Sequence, residues 1–238
     1  MKHTFTRLLG LALCCYSSAG LAQSLEKKAT PQELYSEGRM LFEQKAYSAA
    51  ISPLRAYLQG NAGDCNDAAA EEAAYMLACA AYELGDPQSA DLLRGFLAEY
   101  PDTPHANRIQ ALIASTYFFD EDYEQALQAF GQARLDWLAA DERDDMTYRL
   151  ATCYLLTGDL REAAIWFETL RATSPRYAVD CTYYLSYIRY TQQRYDEALK
   201  GFLSLQEDEK YEALVPYYIA EIYLAKQQYD KAEIVAQN

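Results

Sequence analysis

The chain has 238 residues and a formal net charge of −14, with 35 acidic residues against 21 basic ones. Such an acidic surface repels phosphate backbones and anionic headgroups, so nucleic-acid binding and membrane-surface binding are disfavoured. The sequence contains two histidines but no glycine-rich phosphate loop, HExxH or GxSxG motif. We therefore predict a protein that is not an enzyme, has no catalytic residues and binds neither a metal nor a cofactor. The acidic coat either aids solubility or attracts a basic partner.

The first 22 residues have the organisation of a secretory signal peptide. A basic start precedes an apolar run at residues 8–13, and small residues lead up to Ala22. The run is shorter than the roughly 20 apolar residues that span a bilayer. We predict cleavage after Ala22, a periplasmic or secreted location, and no integral membrane segment after cleavage. Residues 11–14 resemble a lipoprotein box, and an outer-membrane lipoprotein is therefore the alternative. Leu13 departs from the box, because it is bulky where a small residue is expected.

Small residues recur in pairs along the rest of the chain. Successive alanines stand 40, 36, 37, 35 and 34 residues apart, and another small residue precedes each by 12 positions. The six pairs are Gly38/Ala50, Ala78/Ala90, Ala114/Ala126, Ala151/Ala163, Ser186/Ala198 and Ala220/Ala232. A period of this length predicts a solenoid of stacked units. Two helices can cross closely where both have small residues, and each unit has one such pair. Each unit is therefore predicted to be a helix–turn–helix.

Unit four carries the fullest set of repeat residues. We number each unit so that the first small residue is position 8 and the alanine is position 20. Positions 8, 11, 15, 16, 20, 24 and 32 of this unit are Ala151, Tyr154, Gly158, Asp159, Ala163, Phe167 and Pro175. This set resembles the tetratricopeptide repeat, and the resemblance covers residues 31–238. It implies an all-α fold, a right-handed superhelical solenoid of about six helix–turn–helix units.

The period places the boundaries of the chain's segments. We predict a signal peptide at residues 1–22, a polar leader at 23–30 and the repeat array at 31–238. Residues 60–66 form an insertion that lengthens the first interval. Unit two departs from the pattern at Pro87 and Arg94, where Leu93 and Leu97 are expected to pack instead. The second helix of unit six stops before position 27, so we expect the natural protein to continue beyond Asn238.

Four cysteines follow the predicted cleavage site, at positions 65, 79, 153 and 181. An exported protein can form disulfides. However, Cys153 and Cys181 differ by seven helical positions, or about 10 Å of rise, whereas a bridge allows about 7 Å between Cα atoms. Free, packed thiols are therefore predicted, with Cys65 in a loop. His105, the one histidine outside the signal peptide, is interpreted as a solvated loop residue.

The resemblance also implies where a ligand binds. In tetratricopeptide arrays the first helices line a concave groove with positions 2, 5, 9, 12 and 13, and aromatic residues dominate positions 5 and 12 here. The predicted groove consists of Tyr35, Phe42, Tyr75, Tyr82, Phe118, Tyr148, Tyr183, Tyr187, Tyr190 and Tyr217. Positions 5 and 12 are about two turns apart and share one helix face. Two interpretations stay open: these tyrosines bind a ligand, or those at position 5 pack against the next unit.

The predicted function is a non-catalytic protein–protein interaction scaffold or adaptor in the bacterial cell envelope, which binds a peptide or protein segment in this groove. Position 5 carries no lysine, so the resemblance does not extend to domains that clamp chaperone C-termini with basic residues. A glycan- or nutrient-binding accessory protein built on helical repeats is the alternative. It ranks second because the insertion at residues 60–66 has no aromatic residue. An enzyme whose catalytic domain lies beyond Asn238 ranks third.

Overall fold

The computed structural model describes residues 29–60 and 68–237. The predicted signal peptide, Cys65 and most of the predicted leader lie outside these ranges. The described residues form twelve α-helices, two short 3₁₀ helices and no strand. The α-helices, α1 to α12 in order, are Pro31–Glu43, Tyr47–Gly60, Ala68–Glu83, Ser89–Glu99, Ala106–Phe119, Tyr123–Phe130, Ala140–Leu156, Leu160–Thr173, Ala178–Thr191, Tyr195–Leu203, Val215–Ala225 and Tyr229–Gln237.

Each helix packs against its neighbours in the sequence, so that α1 and α2 form the first pair and α11 and α12 the sixth. First helices of successive units also touch: α1 contacts α3, α3 contacts α5, and α5 contacts α7. The 3₁₀ helices, Leu135–Trp137 and Pro175–Tyr177, lie in the connections that enter units four and five. This arrangement confirms the predicted all-α solenoid of six helix–turn–helix units.

The small residues lie where the paired helices cross. A Cβ atom added to Gly38 would come within 2.7 Å of the side chain of Leu54, one turn beyond Ala50. In unit five a Cβ atom on Gly201 would lie 1.9 Å from the Ser186 hydroxyl oxygen. Because protein interiors are close-packed, neither helix can move aside without losing contacts elsewhere. The paired helices can therefore cross this closely only where small residues stand at the crossing.

Unit two departs from the predicted register in its second helix. Its α4 begins at Ser89, after a five-residue turn that contains Pro87, whereas the second helices of the other units begin after three-residue turns. Ser89, Leu93 and Phe96 are all buried, and their spacing of four and three residues places them on one helix face. Ala90 is only half-buried. The prediction of Ala90 as the crossing residue is thus wrong by one position.

The turn inside each unit has the same backbone shape. Position 15 lies in the left-handed region in all six units, with φ between +58° and +87°. Glycine holds this conformation in units two and four, at Gly85 and Gly158. The other four residues are Lys45, Glu121, Gln193 and Gln227, and all four are exposed. The turn shape therefore does not depend on glycine.

Three of the cysteines are buried inside first helices. Cys79, Cys153 and Cys181 are free thiols in the structure, as predicted. Burial raises the pKa of the Cys79 thiol to about 11 and that of Cys153 and of Cys181 to about 12. The thiolate is the reactive form of cysteine, so these three side chains act as small packing groups at neutral pH.

Candidate functional site

A trio of side chains recurs where one unit meets the next. It consists of a carboxylate at position 2 and a tyrosine at position 5 of one unit, and of an aromatic residue close before the first helix of the next. We call this trio a junction clamp. The three junction clamps are Glu72/Tyr75/His105, Asp145/Tyr148/Tyr177 and Asp180/Tyr183/Tyr211. They join unit two to three, four to five and five to six.

The geometry of the junction clamps is nearly constant. The centroids of the two stacked rings lie 3.7 Å apart for Tyr75 and His105, and the rings are inclined by only 11°. The corresponding distance is 4.4 Å for Tyr183 and Tyr211. The hydroxyl of Tyr211 donates a hydrogen bond of 2.6 Å to Asp180. One aromatic ring thus supplies both an apolar face to the tyrosine and a polar tip to the carboxylate.

The same interactions occur between units four and five. Tyr177 stacks on Tyr148 with 4.8 Å between ring centroids, and its hydroxyl donates to Asp145 over 2.7 Å. Arg176 also pairs with Asp145, at 2.9 Å. Burial, with the hydrogen bond to Asp145, raises the pKa of Tyr177 to about 12. Tyr177 therefore remains a protonated donor at neutral pH.

The junction between units three and four is built differently. Position 5 is Ala111, so no ring is available for stacking. Position 2 is Arg108, whose Nε atom donates to the Glu142 carboxylate at 2.8 Å. The same guanidinium donates from Nη1 to the Tyr75 hydroxyl at 2.6 Å. An ion pair thus takes the place of the stacked rings and is linked to the neighbouring junction clamp.

His105 belongs to the junction clamp of unit two, which corrects its interpretation as a solvated loop residue. It is half-buried, stacks on Tyr75 and hydrogen-bonds through Nε2 to Glu72 at 3.0 Å. The sequence does not reveal this role, because the partners stand 30 and 33 residues away. The repeat numbering must be extended to the residues before each first helix. Only then does His105 occupy the same position as Tyr177 and Tyr211.

These contacts bear on the tyrosines at position 5. Tyr75 and Tyr183 are buried and Tyr148 is half-buried, each against the following unit. For these three residues the contacts favour the second of the two open interpretations, namely that the tyrosines at position 5 pack against the next unit. Tyr35 is half-buried and lies 5.3 Å from Tyr57 between ring centroids. Tyr217 is 60% exposed.

The aromatic residues at positions 9 and 12 stay half-buried. Three of those at position 12 contact the ring at position 17 across the turn of their own unit. These pairs are Phe42 with Tyr47, Phe118 with Tyr123 and Tyr190 with Tyr195, with ring centroids 5.5, 6.0 and 6.1 Å apart. Tyr187 meets Tyr218 edge-on at 5.9 Å. A part of each ring remains accessible, so binding by this surface stays a prediction.

A second group of side chains joins units two, three and four, and we call it the arginine site. Arg149 donates from Nη1 to the Tyr82 hydroxyl at 2.7 Å and to the Ser115 hydroxyl. The two hydroxyl oxygens lie 2.8 Å apart. The guanidinium carbon lies 4.8 Å from the ring centroid of Phe119, which is 62% exposed. No carboxylate among residues 29–60 and 68–237 forms an ion pair with Arg149.

Sequence reasoning found Tyr82 but missed Arg149 and Phe119 as site residues. Arg149 is at position 6, which is not one of the five groove positions, although it follows the predicted groove residue Tyr148 directly. Arginines also lie on other first helices, for example Arg39 and Arg189, so no sequence signal singles out Arg149. Phe119 is at position 13, which is one of the five groove positions, but the predicted groove took its residues from positions 5, 9 and 12 only.

Some kinds of site are not found in the part of the chain that the structure describes. No group of three or more His, Cys, Asp or Glu side chains there is arranged to hold a metal ion. Among the helices described, none is both long enough and apolar enough to cross a lipid bilayer. What these residues offer a ligand is half-buried aromatic rings on the first helices and the guanidinium of Arg149.

The twelve helices define an α-solenoid, a class of protein that commonly binds its partners on an extended repeated surface. Family models for the tetratricopeptide repeat match residues 72–103 and residues 112–178. The chain therefore contains tetratricopeptide repeats over these residues, as its residue pattern predicted.

Solved structures share this fold. MamA AMB-1 superposes with a TM-score of 0.58 at 20% identity, covering 76% of this chain and 92% of that one. PilF of Pseudomonas aeruginosa gives 0.57 at 17% identity, covering 86% and 88%. MamA of Desulfovibrio magneticus RS-1 gives 0.56 at 16% identity, covering 76% and 97%. At these identities the likeness concerns the fold alone. A comparison with curated proteins finds no match.

Proposed function

We propose that this protein is a non-catalytic interaction scaffold of the bacterial cell envelope, which binds a peptide or protein segment across its first helices. The observation that carries the proposal is the arginine site. A half-buried guanidinium without a carboxylate partner in the described chain retains unused donors, because Arg carries five N–H groups. The neighbouring rings of Tyr82 and Phe119 supply apolar surface beside those donors.

The chemistry of the arginine site indicates what it recognises. A guanidinium donates to carboxylate and carbonyl oxygens, and both groups occur on an extended peptide. Interface energy concentrates in Trp, Tyr and Arg residues near the centre of a contact. We therefore place the anchor of the bound segment at Arg149, with the half-buried aromatic residues of positions 9 and 12 on either side. The acidic remainder of the surface selects against strongly acidic partners.

Substitution of Arg149 tests this function. Arg149→Gln removes the charge and the fork of donors, and we expect it to weaken capture of an envelope partner by a factor of about 30, equivalent to about 2 kcal/mol. The measurement is quantitative capture from an extract of the native host's envelope at several salt concentrations. Arg161→Gln is the matched control, since Arg161 is exposed at the start of α8.

The outcomes of this test are distinct. Loss of the same partner with Arg149→Gln, and its retention with Arg161→Gln, supports the arginine site. Equal capture by both variants contradicts it. A steep decrease of capture with salt that does not depend on Arg149 would instead assign binding to the acidic coat. Circular dichroism verifies that both variants stay folded.

Export from the cytoplasm is a separate part of the proposal. The protein produced in a Gram-negative host is expected to begin at Gln23 and to carry no lipid, because a basic start, an apolar run and small residues precede the cleavage point. Mass spectrometry of the intact protein from the periplasmic fraction checks this. An acylated cysteine at position 14 or 15 would favour the lipoprotein alternative, and an uncleaved cytoplasmic chain would refute export.

A further inference from the structure

A cavity of about 600 Å³ lies between α6, α7 and α8. It exists because α6 has only eight residues whereas α8 has fourteen. Beyond α6 the chain continues through residues 131–139, so the last turns of α8 have no second helix of unit three beside them. Cavities of this size are typical of small-molecule sites.

The cavity lies on a different side of α7 from the arginine site. Thr147, Leu150 and Tyr154 line it, and their spacing of three and four residues places them on one helix face. Tyr148 and Arg149 follow Thr147 directly and therefore lie on the other side of the helix. The cavity and the arginine site share no residue.

The walls of the cavity are largely apolar. They include Leu127, Phe130, Leu135, Leu150, Trp166 and Leu170. Four of these residues, Phe130, Leu135, Leu150 and Leu170, are buried side chains of the core. Water gains few hydrogen bonds against such walls, whereas an apolar molecule loses unfavourable contact with water when it enters. The walls thus favour an occupant with an apolar body.

The polar lining of the cavity contains the acids Asp136 and Asp144 as well as one buried donor without a partner. Trp166 lines it, and its buried Nε1 has no hydrogen-bond partner among the described residues. The hydroxyls of Thr147 and Thr169 already donate to main-chain oxygens one helical turn earlier, at 2.7 and 2.9 Å. A buried N–H group without an acceptor is unfavourable. An occupant that brings an acceptor oxygen would remove this cost.

The mouth of the cavity adds a cationic group beside an aromatic ring. Arg134 lines the cavity, and its guanidinium carbon lies 4.4 Å from the ring centroid of Trp137, which is 66% exposed. Arg143, also a lining residue, pairs with Asp144 at 3.5 Å. Arg134 thus provides further donors where an occupant would enter.

We propose that this cavity binds a small amphipathic molecule, namely an apolar ring or short chain that carries one carbonyl or carboxylate group. The apolar body packs against the leucine and phenylalanine walls. The oxygen accepts a hydrogen bond from Trp166 Nε1, and Arg134 contacts the polar end near the mouth. This site does not depend on the proposed peptide binding at Arg149.

The two tryptophans of the chain allow a direct test. In Trp137→Phe, Trp166 is the sole tryptophan, so its fluorescence reports occupancy of the cavity. Three probes with the same phenylpropyl body are titrated: 3-phenylpropanoate, 3-phenylpropanamide and 3-phenylpropylamine. The first two carry an acceptor oxygen, whereas the ammonium group of the third only donates. We expect saturable binding of an oxygen-bearing probe and binding of the amine at least about tenfold weaker.

Two further variants locate the binding, each made in the Trp137→Phe background. Thr169→Phe introduces a ring from a lining residue at the exposed side of α8 and is expected to abolish the fluorescence response. Ala172→Phe introduces the same ring at an exposed residue of α8 that does not line the cavity and should leave it unchanged. Binding of neither oxygen-bearing probe, equal binding of the amine, or an unaffected Thr169→Phe would each overturn the proposal. Arg149→Gln should leave the titration intact, which separates this site from the peptide site.

Discussion

Ala163→Glu is expected to cause one of the largest losses of stability in this protein. Ala163 is fully buried where α8 crosses α7, and Ala151 on α7 is fully buried as well. A glutamate there would have to displace one of the helices or place a carboxylate in an apolar interior without a partner. The expected cost is about 3 kcal/mol or more.

Thermal unfolding followed by far-ultraviolet circular dichroism measures this effect. A cost of this size corresponds to a melting temperature lower by roughly 6–12 °C for a chain of this length. Ala172→Glu is the control, because Ala172 is exposed on the same helix. A melting temperature of Ala163→Glu within about 2 °C of the wild type would contradict the repeat register.

Tyr183→Ala is the second substitution with a large expected effect. Tyr183 is buried, stacks on Tyr211 and meets Phe202 at 6.1 Å between ring centroids. Removal of its ring leaves a cavity between units five and six and takes the stacking partner from the junction clamp. Truncation of a buried aromatic residue typically costs about 3–5 kcal/mol.

Tyr217→Ala is the matched control, because Tyr217 has the same position in unit six but is largely exposed. Its substitution is expected to change stability by about 0.5 kcal/mol or less. Denaturant unfolding of both variants measures the difference. If the two variants were equally stable, packing in the junction clamp would not be the role of Tyr183, and the ligand-binding interpretation would gain support.

Much of the fold was predictable because helix crossings impose a local rule on the sequence. Each crossing needs a small residue, and the repetition of that need every 34 to 40 residues shows the solenoid. The rule failed in unit two, where Ser89 occupies the crossing in place of Ala90. Serine and alanine are both small, so residue size alone cannot tell which of two neighbours faces the partner helix. A longer turn before α4 decided the register.

The candidate site was less predictable, because its contacts join residues far apart in the sequence. Position 5 marked Tyr75, Tyr148 and Tyr183. The rings that cover them lie in connections outside the repeat pattern, at His105, Tyr177 and Tyr211. The arginine site spans 67 residues between Tyr82 and Arg149. Its side chains meet only because successive first helices lie side by side. The cavity beside α6 arises from an early helix end, and helix ends are the least reliable part of a sequence-based prediction.

The turns inside the units have a consequence for engineering. A left-handed backbone normally costs a residue other than glycine roughly 1–2 kcal/mol, yet lysine, glutamate and glutamine hold this conformation in four units. The packing of the paired helices therefore imposes the conformation whatever the side chain. Because these side chains are exposed, the row of turns offers attachment points for fluorophores or crosslinkers, spaced one repeat apart, that leave the helix crossings untouched.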